Sequence, residues 1–251
     1  METIKSTCSI YNNDCLEKMK DLENESIDLI FCDLPYGGLT SCKWDIAIDL
    51  DLFWKEVMRI KKLHTPIFFT TTTKFGVSLI QTAPKKCPFR YDLIFVKSSS
   101  VGHLSSRRQP MRKHEMIYVF YEKLPFYDLS SHTHKYMNDD YKDNQRKNKD
   151  GAYGNNLKLP KSTGKAGSVY DVPLPTSLLE IKSTRGKHST EKPVALMEWI
   201  LKYYSKEGDT ILDPTCGSGS TGVACENMNR NFIGIEMDEE IFKVAENRLK
   251  Q

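Results

Sequence analysis

Phe31-Cys32-Asp33-Leu34-Pro35-Tyr36-Gly37 is the stretch from which the fold of this 251-residue chain is read. Just upstream, Ile27-Asp28-Leu29-Ile30-Phe31-Cys32 is short, apolar and rich in strand-favouring residues, the pattern of a central strand buried on both faces of a parallel sheet. Pro35 has no backbone N–H to give to a sheet ladder, so the strand stops there. Its carboxyl end carries the Asp33 carboxylate, backbone carbonyls and the Tyr36 ring, and in open α/β sheets ligands bind along that edge. An exocyclic amino group needs acceptors, and a flat base needs a ring to stack on. Asp33 and the Leu34 carbonyl offer the first, Tyr36 the second. An ordinary strand ending in a proline turn accounts for the same residues, so the rest of the chain has to decide.

A second strand and turn stands near the other end. Thr210-Ile211-Leu212-Asp213 is apolar and closes on a carboxylate, and Pro214-Thr215-Cys216-Gly217-Ser218-Gly219 follows before a helix. Gly217 and Gly219 let backbone amides approach a ligand with no Cβ in the way. Asn231-Phe232-Ile233-Gly234-Ile235-Glu236 reads as the neighbouring strand, and its terminal acid lies 23 residues beyond Asp213. An acid at that distance suits a pair of ribose hydroxyls. The last helix is expected over residues 239–249, packing Ile241, Phe242, Val244, Ala245 and Leu249.

Between these ends the chain alternates strands and helices. Residues 7–11 read as a strand, followed by a helix that carries Leu16, Met19 and Leu22 on one face, with Asp14 at its N-cap. Gly37-Gly38 frees the backbone of an irregular polar loop in which Trp44 is either a pocket wall or core. A helix is expected over 52–63 with Phe53, Val57 and Ile60 inward, a strand over 67–70, a helix over 75–80, and strands over 91–97 and 116–121. Residues 98–115 read as a loop, small, hydroxylated and basic; Arg107, Arg108, Arg112 and Lys113 are its candidate phosphate contacts. His114 and Glu115 either face a pocket or end that loop. Pro193 fits the first turn of a helix bearing Val194, Leu196, Met197, Trp199, Ile200 and Tyr203, with Ser189 or Thr190 as its cap.

Periodicity vanishes between residues 124 and 170, where cations, amides and aromatics interleave. Lys142, Arg146 and Lys147 there are candidates to neutralise phosphates, and amides beside them read base edges. From Lys97 to Lys165 there are 14 Lys and Arg against 7 Asp and Glu, a net of +7 in a chain whose total is +3. Such an imbalance fits a polyanion docking on one region. No apolar run approaches the roughly 20 residues of a membrane span. Nor does Met1-Glu2-Thr3-Ile4-Lys5-Ser6 supply the apolar centre of an export signal, so a cytoplasmic protein with no membrane partner is expected. Seven scattered cysteines, none spaced C-x-x-C, speak for a reducing compartment and against a disulfide framework or zinc site; no metal is expected.

Asp33-Leu34-Pro35-Tyr36 resembles the Asp-Pro-Pro-Tyr signature of DNA amino-methyltransferases, with Leu34 in place of the first proline. Asp213, Pro214, Gly217, Ser218, Gly219 and Glu236 match that family's cofactor motif, with Thr215 replacing an aromatic. The order, catalytic turn first and cofactor turn last, is similar to the beta group of the family over nearly the whole chain. The resemblance implies an α/β, Rossmann-like methyltransferase fold: a mostly parallel sheet with an antiparallel strand and a circularly permuted motif order. It implies a catalytic domain at 1–121 and 178–251, and an inserted basic target-recognition region at 122–177. The cofactor it implies is S-adenosylmethionine, held by Asp14 and Cys15 at the adenine end, by Lys192 and Pro193 at the methionine end, and by Asp213, Pro214, Thr215, Gly217, Ser218, Gly219 and Glu236. Asp14 is equally well explained as a helix cap alone.

The implied partner is double-stranded DNA, and the implied reaction is direct methylation of adenine N6 on a flipped base, with Asp33, Leu34, Pro35 and Tyr36 catalytic. Monomers and homodimers both occur in the family. Cytosine N4 is the alternative target; Asp33 favours adenine, since cytosine-N4 members more often begin the signature with Ser. Gly217-x-Gly219-x-x-Gly222 also satisfies a dinucleotide fingerprint, which keeps an NAD enzyme as a formal rival. A cytosine-C5 enzyme would need a Pro-Cys nucleophile, and Cys87-Pro88 has the reverse order. A DNA-binding relative without catalysis, and enzymes acting on RNA or on a protein amide, complete the alternatives.

Overall fold

Leu29, Ile30, Phe31 and Cys32 are all buried, which is what a strand covered on both faces of a sheet requires. The structure is a computed structural model that describes residues 6–37, 47–132, 174–182 and 191–250. Along the chain lie β1 (Cys8–Asn12), α1 (Cys15–Met19), β2 (Leu29–Cys32), α2 (Leu50–Ile60), β3 (Ile67–Thr71), α3 (Thr73–Thr82), β4 (Phe89–Val101) and β5 (Arg112–Phe120). Then come β6 (Leu178–Leu179), α4 (Val194–Tyr204), β7 (Thr210–Asp213), α5 (Ser220–Asn227), β8 (Asn231–Glu236) and α6 (Glu239–Leu249).

The strands form one sheet in the order β1-β8-β7-β2-β3-β5-β4-β6. Every pairing is parallel except the two made by β5, which runs antiparallel to both β3 and β4. This is the mostly parallel sheet with an antiparallel strand that the motifs implied. From β7 the chain steps outward to β8, and from β2 it steps the other way to β3, so the strand order reverses between β7 and β2. The crevice outside that reversal is where ligands bind in open α/β sheets.

Helix α2 starts where Asp49 accepts hydrogen bonds from Asp51 N and Leu52 N, both at 3.0 Å. Its buried face carries Phe53, Trp54, Val57 and Ile60. Trp54 and Phe53 meet Phe69 of β3 edge-on, and Phe120 of β5 closes the aromatic cluster. Burying side chains of this size stabilises by about 1.5–3 kcal/mol each. This core fixes β3 beside β2, and so fixes what stands next to Asp33.

Several local expectations are corrected. Helix α1 ends at Met19, and Leu22 reaches the core from the turn that follows. Strands β4 and β5 run well past the expected 91–97 and 116–121, pairing as far as Val101 with Arg112 through an irregularity after Val96. The supposed loop of 98–115 is therefore mostly the outer part of a hairpin, with a 3-10 turn at His103–Ser105. The cap of α4 is Pro193 itself, with no side-chain hydrogen bond, whereas Ser189 and Thr190 lie outside the described residues, as does Trp44. Of the side chains expected to pack from α6, only Ala245 is fully buried.

Two units emerge from the backbone contacts: Met1–Tyr127 with Ser177–Gln251, and Asp128–Thr176. In the larger unit, Lys61 pairs with Glu122 at 2.9 Å, and Tyr127 packs on Tyr204 with ring centroids 5.0 Å apart. In the smaller unit, Asp128 accepts from Ser130 N at 2.8 Å. Among the described residues no helix is long and apolar enough to cross a membrane.

Candidate active site

Parallel strands all end at the same edge of a sheet, and four neighbours in this one end within two residues of an acid. Asp14 follows β1, Glu236 ends β8, Asp213 ends β7 and Asp33 follows β2. All four line one cavity of about 610 Å³. That volume lies within the range of cofactor pockets.

The glycine turn forms one wall, with Pro214, Thr215, Gly217 and Ser218 lining the cavity beside Asp213. Gly217 and Gly219 have φ of 53° and 81°, the left-handed region that favours glycine. Glu236 organises this turn: its Oε2 accepts from Gly217 N at 3.0 Å and its Oε1 from Asp238 N at 2.8 Å. Burial pushes the Glu236 carboxyl above the ordinary range, against those hydrogen bonds. Asp213 is more extreme. It is buried, accepts from Thr221 Oγ1 at 2.6 Å and from Thr215 N at 3.2 Å, and is still pushed up to about 7 by burial. Thr215 Oγ1 is buried and makes no hydrogen bond among the described residues, although the side chain lines the cavity.

Asp14 and Cys15 line the cavity next to Glu236, since β1 pairs with β8. Asp14 does cap α1, its Oδ1 accepting from Leu16 N at 2.8 Å and Glu17 N at 3.1 Å. Burial, with help from Asp14, holds the Cys15 thiol up at about 12, which keeps it neutral. Ala47, Ile48 and Asp49, just ahead of α2, complete this side; nothing in the sequence pattern marked them.

The turn that follows β2 contributes to the cavity as well. Asp33 and Pro35 line the cavity, and Leu34 and Tyr36 do not. The Leu34 side chain is 2% exposed and belongs to the apolar core, so the position that departs from the signature holds a core side chain. The Tyr36 ring lies against Phe75, centroids 5.3 Å apart and planes at 52°, and burial raises its phenol well above the usual value.

Both oxygens of Asp33 are engaged. Thr70 Oγ1 donates to Oδ1, and Lys192 Nζ donates to Oδ2 at 2.6 Å. Lys192, assigned from sequence to the cofactor, lines the cavity but aims its ammonium at the Asp33 carboxylate. Burial works against its charge, and Asp33 and Glu115 more than reverse that, raising its pKa. The Glu115 carboxyl behind it is lowered: burial pushes it up, and the ammonium groups of Lys192 and Lys97 overcome that. Sequence reasoning missed Thr70, and it left Glu115 undecided. Cys32 pairs with Phe69 across β2 and β3, which sets Thr70 beside Asp33, but only the strand order reveals that.

Pro193 and Gly219 stand behind the wall without lining it. Gly219 opens α5 as its N-cap, and a Cβ there would come within 3.2 Å of Leu249. Arg107, Arg108 and Lys113 are exposed on the β4–β5 hairpin and Arg112 is half-buried. Lys142, Arg146 and Lys147 lie outside the described residues. Cys87 is buried, with its thiol pushed up to about 11 by that burial, which disqualifies it as a nucleophile.

The DNA methylase family (N6_N4_Mtase) matches residues 27–247. The type II methyltransferase M.HinfI of Haemophilus influenzae is 28% identical over 269 residues, covering 97% of this chain and 68% of that protein. The DNA adenine methyltransferase YhdJ of Escherichia coli K12 is 29% identical over 258 residues, covering 96% and 82%. Among solved structures, the M1.HpyAVI–SAM complex superposes with a TM-score of 0.63 at 23% identity, over 97% of this chain and all of that one. The cytosine-N4-specific PvuII DNA methyltransferase gives a TM-score of 0.67 at 16% identity, over 97% and 86%. These structures share the fold.

Proposed function

The chain belongs to the N6/N4 DNA methylase family, and from that premise we propose that it methylates adenine N6 in double-stranded DNA at a specific sequence. One observation carries this reading: the acids ending four adjacent strands converge on one cavity, with Asp33 and Pro35 at its end. The methyl donor is S-adenosylmethionine, and when bound it supplies an electrophilic methyl on a sulfonium. The residues present fit it. A cavity rich in carboxylates suits a cation, and Glu236 suits a ribose.

In this mechanism the target base leaves the duplex and stacks on Tyr36, whose ring is backed by Phe75. Asp33 and the Leu34 carbonyl accept the amino hydrogens, draw the nitrogen lone pair out of conjugation and stabilise the positive charge that grows on that nitrogen. Thr70 and Lys192 hold Asp33 in position for this. Direct attack would form the N–CH3 bond as the donor's S–CH3 bond breaks, with one amino proton then lost to solvent, and it needs no protein nucleophile. Residues 1–121 and 178–251 are the catalytic part in this proposal. Residues 122–177 are the target-recognition region, with Arg107, Arg108, Arg112 and Lys113 on the hairpin and Lys142, Arg146 and Lys147 contacting DNA. Adenine is preferred because Asp33 opens the signature, and the adenine enzyme YhdJ supports it at 29% identity.

The deciding experiment is transfer of labelled methyl to unmethylated genomic DNA, followed by mass spectrometry of the nucleosides. N6-methyladenine supports the proposal; N4-methylcytosine overturns the base assignment and keeps the reaction. Tyr36→Ala is expected to lose stacking of about 1–3 kcal/mol, measured as weaker binding of a duplex containing the target and a slower single turnover. An unchanged rate and affinity would remove Tyr36 from the site. Glu236→Ala is expected to weaken S-adenosylmethionine binding about 10- to 100-fold by calorimetry, since a hydrogen bond to a charged group contributes about 1.5–3 kcal/mol. Unaltered cofactor affinity would refute its role.

A further inference from the structure

The acceptor assigned to the target amino group is occupied before any base arrives. Lys192 Nζ is 2.6 Å from Asp33 Oδ2, and Thr70 holds Oδ1. On the other side of that ammonium, 3.5 Å away, is Glu115 Oε2, a buried oxygen with no hydrogen-bond partner among the described residues. The other oxygen of Glu115, Oε1, is held by Lys97. These two residues sit at the root of the β4–β5 hairpin, where Phe95 pairs with Glu115 and Lys97 lies diagonally across. Two ammonium groups and two carboxylates thus alternate, Lys97-Glu115-Lys192-Asp33, and balance in charge.

We infer that Glu115 is a positioning residue that receives the Lys192 ammonium when the target amino group docks on Asp33. The inference rests on the methyltransferase reading given above. The handover is short, since a movement of about 0.7 Å turns the 3.5 Å contact into an ordinary charge-assisted hydrogen bond. It is favoured on two counts. The buried Glu115 Oε2, held only by a 3.5 Å ion pair, gains a full hydrogen bond. The ammonium also withdraws from a nitrogen that becomes positive as the methyl group is transferred, which like charges at close range would oppose. Thr70 stays on Oδ1 throughout, so Asp33 keeps its orientation while Oδ2 is freed for the base. No proton changes hands between Lys192 and either carboxylate; the ammonium moves as a whole. Lys97 supports the device by fixing Glu115, and it ties that carboxylate to the hairpin carrying Arg107 and Arg108.

The test compares Glu115→Gln, Glu115→Leu and Glu115→Asp with the wild-type chain, using labelled S-adenosylmethionine and unmethylated genomic DNA. Single-turnover methyl transfer is expected to fall about 10-fold in Glu115→Gln, which keeps a neutral acceptor, and about 100-fold in Glu115→Leu, which keeps none. Glu115→Asp is expected to recover part of the loss. Cofactor affinity by calorimetry should stay within about twofold in every variant, because Glu115 does not line the cavity. Thermal unfolding midpoints identify any variant that loses rate by misfolding. Wild-type rates in Glu115→Gln and Glu115→Leu overturn the inference, and so does a loss that appears only as weaker cofactor binding. A wild-type chain that binds the cofactor and methylates no DNA overturns the underlying reading, and the inference with it.

Discussion

Asp33→Ala is expected to lower single-turnover methyl transfer at least about 1,000-fold while leaving S-adenosylmethionine affinity nearly intact. Removing one preorganised hydrogen-bonding group that faces developing charge costs about 100- to 1,000-fold in other enzymes. Asp33 carries a full charge, and its loss also strips Lys192 of its nearest partner, leaving Glu115 at 3.5 Å as the remaining anion. With Asp33 gone, Glu115 is the anion left to hold the Lys192 ammonium away from the forming cationic nitrogen. Cofactor affinity is insulated because most of the cavity wall comes from β7, β8 and the turn after β1, with Asp33 at one end. Asp33→Asn serves as the companion variant. It retains a carbonyl acceptor for Thr70 and lacks the charge, so it separates geometry from electrostatics by falling between wild type and alanine. Retained turnover in Asp33→Ala, measured with labelled cofactor on unmethylated genomic DNA, would remove this carboxylate from the reaction.

The features legible in the sequence are those that a short window determines. The strand that ends at Asp33, the strand and glycine turn from Thr210, and the helix over Glu239–Leu249 were all read from local pattern. Each has a buried apolar run or a helical repeat bounded by a breaker or a cap. The outer hairpin escaped because Ser98, Ser99 and Ser100 have no strand preference of their own and fall in the irregularity between the Val96–His114 and Val101–Arg112 pairs. The partners of Asp33 escaped for a different reason. Thr70 lies 37 residues away and Lys192 159 residues away, and only the neighbour order of β2, β3 and β7 brings those segments together. The Lys192-Pro193 pair was noticed in sequence, but its ammonium finds Asp33 because a buried cation near two carboxylates has no better place to go.

Asp213 gives the second large effect, on stability as a function of pH. Burial raises its pKa to about 7, and Asp33 and Glu236 push in the same direction against the hydrogen bonds from Thr221 and Thr215. In the unfolded chain an aspartate titrates near about 4. Between these values the folded protein holds a proton that the unfolded chain has released, so stability falls as pH rises. The contribution is complete below about pH 4 and gone above about pH 7. At roughly 1.4 kcal/mol per pKa unit its upper bound is about 4 kcal/mol. Asp213→Asn keeps a carbonyl that can accept from Thr221 and cannot ionise, so that slope should vanish. Urea midpoints of both proteins between pH 4 and 8 provide the comparison, and Glu236, raised by burial in the same sense, leaves a shallower residual slope in the variant. Parallel curves would show that Asp213 is ionised throughout. A cationic cofactor in this cavity favours the ionised carboxylate, so its affinity for the wild-type chain should rise with pH across the window in which the free protein loses stability. The strand end that costs the fold stability near neutral pH is therefore the one that prepares the cavity for a positive charge.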